Sequence, residues 1–221
     1  VLSIIVIVLV SYQELFQFIF LIDIKDIFLT ISKTSEGLYK EKGSKFIALC
    51  YPVESEEEVK NTLEAIKKEY YDARHHCYAY ILGEKSESYR ANDDGEPNHS
   101  AGDPILGQIR SRNLTNTLIV VVRYFGGTKL GVSGLINAYK AAAAYALDQN
   151  EIIEKWITKK INFTFEYPDM NEVMRIVKEL EATILHQDFQ ISCEMVLDFR
   201  LSSWQEAHDR LKLLKSVKIR D

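Results

Sequence analysis

Thr117–Gly127 reads TLIVVVRYFGG. Five successive apolar residues, Leu118–Val122, do not alternate with polar ones, which predicts a strand covered on both faces. Gly126-Gly127 ends it. Beyond, Val132, Leu135, Ile136, Tyr139, Ala142, Ala143, Ala146 and Leu147 recur at helical spacing and predict a helix over 131–149. Its alanine stripe lets it sit close to a sheet. A buried strand, a glycine turn and a helix N-terminus thus follow one another directly.

Upstream, Leu38–Lys40 and Phe46–Val53 read as two strands joined by a Lys42-Gly43-Ser44 turn. Ser55 with Glu58 is a capping-box signature for a helix over 56–70, whose apolar positions are Val59, Leu63, Ile66 and Tyr70. Cys77–Leu82 and Ser88–Ala91 follow as strands. Residues 92–104, NDDGEPNHSAGDP, have turn-forming composition and predict a long loop, which in a compact domain is more often functional than filler. A short helix is expected at Ile105–Arg110. Downstream, residues 158–221 read as βαββαβ, with Asp169/Glu172 and Ser203/Glu206 as the two helix caps.

The 221 residues carry 27 Lys and Arg against 32 Asp and Glu, a net charge of −5, and 47% are hydrophobic. That excludes a disordered, collagen-like or disulfide-scaffold chain. It also leaves any nucleic-acid binding to local patches, because residues 33–150 hold 15 cations against 16 anions. Three scattered cysteines suit reduced thiols and a cytoplasmic location. All ten glycines lie between Gly37 and Gly134, and the last 87 residues have none, so the chain divides into parts of different character.

Residues 1–32 are strongly apolar, with Glu14 the sole charge up to Ile22. We read them as an extension outside the fold. A membrane anchor over 1–22 and a packed strand are the alternatives, and the anchor is disfavoured because a carboxylate at mid-span costs about 2.5–3.5 kcal/mol. The expected organisation is therefore 1–32 extension, 33–150 first domain and 151–221 second domain.

The candidate ligand-binding residues are His75, Asp93, Asp94, Glu96, Ser100, Arg123, Gly126, Gly127, Lys129 and Gly131. Arg123 ends a buried strand, where a charge must be paired or serve a site. The 126–131 turn leads into a helix N-terminus, whose free N–H groups and dipole attract anions. Phosphate or carboxylate binding here and a plain Arg–acid pair beside turn glycines are equally good readings. GGTKLGVSG is neither a Walker A loop nor G-x-G-x-x-G. His75-His76-Cys77 puts His75 and Cys77 on one strand face but lacks a partner ligand pair, so no metal site or cofactor is assigned. A Ser100–His75–Asp93 triad has no nucleophile-elbow sequence behind it. In the second domain Arg210, Lys212, Lys215 and Lys218 form a basic end, a candidate nucleic-acid contact or a solvated helix face.

Several segments together resemble the YigZ/IMPACT family: Lys42–Ala48 (KGSKFIA), Asp72–Tyr80 (DARHHCYAY), Asp93–Pro97 (DDGEP), Ser100–Pro104 (SAGDP), Val120–Gly127 (VVVRYFGG), Lys129–Gly131 (KLG) and Gly134–Tyr139 (GLINAY). They span residues 34–149 in order. Ser100 stands where Thr is usual and Ser133 where Gly is usual. The resemblance implies an α+β fold. Its first domain would look like the second domain of a small-subunit ribosomal protein, and its second like a ferredoxin-like domain of a translation elongation factor. Eukaryotic members regulate translation initiation by competing for an activator of a stress kinase through an additional N-terminal domain outside the matching segments, so that partner is not carried over. The expected function is a translation-associated regulatory protein contacting RNA or the ribosome, with a protein partner possible at the second domain. The alternative is an enzyme acting on a phosphorylated or carboxylated small molecule. In it Asp93, Asp94 or Glu96 would hold Mg²⁺ or act as base, His75 would shuttle a proton, and Arg123 with the turn would hold the anion.

Overall fold

A computed structural model describes residues 26–220. In chain order the strands and α-helices are β1 (Ile27–Ile31), β2 (Ser35–Glu41), β3 (Ser44–Pro52), α1 (Glu56–Glu69), β4 (His75–Leu82), β5 (Ser88–Asn92), α2 (Gly102–Ser111), β6 (Thr117–Tyr124) and α3 (Gly131–Asp148). They continue as β7 (Ile152–Trp156), β8 (Thr158–Phe165), α4 (Met170–Glu179), β9 (Thr183–Phe189), β10 (Cys193–Arg200), α5 (Leu201–Lys212) and β11 (Lys218–Arg220). The described chain falls into two compact units, Phe28–Lys155 and a second that runs mainly from Trp156 onward.

In the first unit β6 is the central strand of an antiparallel sheet ordered β2-β3-β6-β4-β5. Its unbroken apolar run serves two cores at once. Ile119 and Val121 pack with Ile105 and Ile109 of α2 and Leu135, Ala138 and Ala142 of α3. Leu118, Val120 and Val122 pack on the opposite face with Val59 and Ile66 of α1. Each such side chain contributes about 1.5–3 kcal/mol by leaving water. The close approach of α3 depends on more than its alanines. A Cβ on Gly37 of β2 would lie 2.4 Å from the Ala146 backbone nitrogen.

The hairpin between β2 and β3 turns at Lys42 and Gly43, both with positive φ (46° and 81°), as the turn reading required. Ser55 caps α1, accepting from Glu58 N at 3.2 Å, while the Glu58 carboxylate takes the Glu54 N–H instead of that of Ser55. Residues 27–31 of the expected extension form a strand of the fold. β1 pairs with β7, Ile31 is buried, and Ser32 N donates to Glu151 O at 3.0 Å. Apolar residues 27–31 find a partner strand and a core, so they belong to the fold. The anchor reading of 1–22 lies outside the described residues. Among those described, no helix is long and apolar enough to cross a membrane.

The second unit runs β8-α4-β9-β10-α5-β11, with an antiparallel sheet ordered β11-β8-β10-β9. Phe163, Phe165, Met195, Leu197 and Phe199 point to one face and meet Val173 and Val177 of α4 and Ala207 and Leu211 of α5. The two expected caps do not form. Asp169 turns its carboxylate to Ser216, accepting from the backbone N–H at 3.0 Å and the hydroxyl at 2.6 Å. α5 begins at Leu201, two residues before Ser203, whose hydroxyl donates to Arg200 O.

Candidate functional site

β4 and β6 are neighbours, and their register sets His75 directly opposite Arg123. Both side chains therefore leave the sheet on the face covered by α2 and α3. The loop between β5 and α2 closes over them. Its shape is fixed by Asp93, whose carboxylate accepts from three backbone N–H groups: His99 (2.9 Å), Ala101 (2.9 Å) and Gly102 (2.8 Å). Asp93 thereby supplies the acceptor that the first turn of α2 lacks in its own Ala101 cap position.

The other acids of the loop go elsewhere. Asp94 accepts from His76 N at 2.6 Å and lies 3.9 Å from Lys67 Nζ. Glu96 is buried, and one of its oxygens accepts from Arg123 Nη1 and from the Tyr139 hydroxyl at 2.8 Å. The three carboxylates thus form no shared cluster. Arg123 pairs with one of the acids, as the plainer of its two readings had it, and it also lines a cleft.

His75 Nδ1 faces the Asp94 carbonyl at 2.8 Å. A carbonyl only accepts, so Nδ1 carries a proton and Nε2 is turned to Glu96, 3.9 Å away. Cys77, next on that strand face, has its Sγ 3.0 Å from the Asp93 carbonyl and 3.3 Å from the Tyr139 hydroxyl. Burial pushes both the Cys77 thiol and the Tyr139 phenol well above their ordinary pKa, so both stay protonated. Ser100 is fully buried and donates to Pro97 O at 2.6 Å, so it forms no triad with His75 and Asp93. No group of three His, Cys, Asp or Glu side chains among the described residues is set to hold a metal ion.

The turn after β6 has two kinds of glycine. A Cβ on Gly126 would lie 1.9 Å from the Gly43 carbonyl carbon, so Gly126 is where the turn packs on the β2–β3 hairpin. Gly127 and Gly131 have φ of 88° and 72° and open space where a Cβ would point. α3 starts at Gly131 with no side-chain cap and no acid in its first turn. Its free N–H groups open onto a cleft of about 490 Å³.

That cleft is lined by Arg74, His75, Glu96, Arg123, Lys129 and Gly131 among its polar or turn residues, and by Phe125, Leu130, Val132 and Leu135 among its apolar ones. Of the ten candidate residues, His75, Glu96, Arg123, Lys129 and Gly131 meet there. Asp93, Asp94 and Ser100 shape the loop behind it, and Gly126 and Gly127 form the turn beside it. Sequence reasoning missed Arg74, Tyr139 and Phe125. Arg74 and Phe125 each adjoin a candidate residue, and Tyr139 fits the helical pattern as a core residue only.

In the second unit Arg210 is engaged within its own helices, with Glu179 at 2.5 Å and Glu206 at 3.1 Å. Lys212, Lys215 and Lys218 are exposed.

Fold and site together define a mixed α and β protein of two units, whose first unit carries a cationic cleft at a helix N-terminus. The family model described as "Impact N-terminal domain" matches residues 42–147. The chain belongs to the IMPACT family. It is 34% identical over 152 residues to the IMPACT family member YvyE of Bacillus subtilis, covering 69% of this chain and 70% of that one. With YigZ of Escherichia coli it shares 32% over 151 residues, 67% and 74% of the two chains. A solved structure titled "Crystal structure of an hypothetical protein" superposes with a TM-score of 0.67 at 27% identity, over 88% of this chain and 96% of that chain.

Proposed function

We propose that this chain is a translation-associated regulatory protein of the cytoplasm that binds RNA, free or on the ribosome, through the cleft at the start of α3. One observation carries the reading. Arg74, Arg123, Lys129 and the uncapped first turn of α3 border one opening, while the single carboxylate of its lining, Glu96, is already held by Arg123 and Tyr139. The excess of donors and positive charge suits a phosphate backbone even though the unit as a whole is near neutral. In the second unit Lys212, Lys215 and Lys218 supply exposed cations of their own. The family resemblance supports a role in translation. The βαββαβ order and β11-β8-β10-β9 sheet support reading the second unit as ferredoxin-like. The first unit is read as akin to the second domain of a small-subunit ribosomal protein.

Filter binding with single-stranded RNA across a salt series tests this. Arg74 and Lys129 are exposed, so both can be changed to Ala without disturbing a core, whereas Arg123→Ala leaves Glu96 buried and unpaired. Each of the two cations neutralises one phosphate, worth about 0.7 in the slope of log affinity against log salt, so the double variant is expected to lower that slope by about 1.4. No binding at low salt would falsify the reading.

A further inference from the structure

The cleft is lined by two chemistries, and only one of them is explained by phosphate. Arg74, Lys129 and the first turn of α3 supply donors. Phe125 and Val132 supply apolar surface, 45% and 53% exposed, with Leu130 and Leu135 beside them. A backbone phosphate alone has no use for an exposed aromatic ring. The Arg123 guanidinium lies 5.8 Å from the centre of that ring. Arg123 is only 6% exposed, and its Nε is buried with no hydrogen-bond partner. Buried donors without acceptors are uncommon, and Arg123 is one of the residues that line the cleft. The volume of about 490 Å³ is in the range of small-molecule sites and is too small for a duplex.

We propose that the cleft receives one nucleoside monophosphate unit, with its phosphate against the first turn of α3, Arg74 and Lys129, and its base stacked on Phe125. The inference rests on the RNA reading above and narrows it to one unstacked residue of a strand. A free nucleotide offers the same chemistry. Glu96, itself held by the Tyr139 hydroxyl, positions the site by accepting from Nη1 of Arg123, which fixes the guanidinium beside the cleft. Stacking tolerates any base, so the site selects for an unpaired nucleotide and not for a sequence.

The test uses the full chain with three probes: a short oligouridylate, adenosine 5′-monophosphate and inorganic phosphate. Phe125→Ala is expected to weaken oligouridylate binding about tenfold, the effect of removing one base stack, and Phe125→Trp to retain it. A thermal melt confirms that each variant is folded. Adenosine 5′-monophosphate is expected to move the amide resonances of Gly127, Gly131 and Val132 at lower concentration than inorganic phosphate does. If Phe125→Ala binds oligouridylate and the nucleotide like the parent chain, the proposal is overturned while RNA binding stands. If phosphate binds as tightly as the nucleotide, base recognition is overturned. If no oligonucleotide binds but the nucleotide does, and Phe125 matters, the RNA reading fails and the site is one for free nucleotides.

Discussion

Arg123 shows how a residue can be flagged correctly for an incomplete reason. A cation ending a buried strand must find a partner, and it finds Glu96, whose same oxygen also accepts from the Tyr139 hydroxyl. The pair is nearly out of water, with side chains 8% and 4% exposed. Glu96→Ala should therefore cost about 3–5 kcal/mol in a urea unfolding curve, because it strands a buried guanidinium. Gly126 belongs to the same scale. Its missing Cβ is what allows contact with the Gly43 backbone, and Gly126→Ala should destabilise by about 1–3 kcal/mol in the same assay. At Gly127, where nothing lies within 4 Å, the expected penalty is the smaller one of a positive φ alone. The sequence marks both glycines but cannot separate them, since the partner that distinguishes them lies more than eighty positions away.

Among the elements, what could be read depended on range. The helices α1 and α3 and the strand β6 follow from local periodicity and lie within a residue or two of their expected bounds. The cap of α5 does not form because the helix starts at Leu201, two residues early, and that of α4 does not because a cap is a competition between donors for one carboxylate. Asp169 faces a remote Ser216 that offers two donors, and sequence spacing cannot show such a rival. Those bonds hold the Asp169 carboxyl below its ordinary pKa. A depressed acid contributes stability that is present above its unfolded pKa, near 3.9, and is lost as pH falls through the folded value. Asp169→Asn should thus lower the melting temperature at neutral pH and narrow its gap to the parent chain below about pH 3. In the loop before α2, Asp93 binds three backbone amides, so Asp93→Ala should speed hydrogen exchange at His99, Ala101 and Gly102 before it affects β6.

For the molecule as a whole, the three thiols offer a global gauge. Cys50, Cys77 and Cys193 are free and buried. Burial raises all three pKa values, that of Cys50 to about 12, so almost no thiolate is present at neutral pH. Iodoacetamide should leave the native chain unmodified and label all three sites together across the urea transition. The division of labour between the units was legible in the glycine distribution, because the turns that surround the cleft need positive φ and close backbone approach. The shared edge of β1 and β7 was not, since it joins segments about 120 positions apart that carry no mutual signal. That edge has a mechanical consequence. Ser32 bonds to Glu151 at one end of the strand pair, so Phe28 and Lys155 emerge together at the other. A pull applied across those two residues loads the ladder one rung at a time, like a zipper, instead of shearing all rungs at once. The first unit should accordingly yield at low force in a single-molecule extension experiment, opening from its own entrance while the β6-centred sheet is still whole.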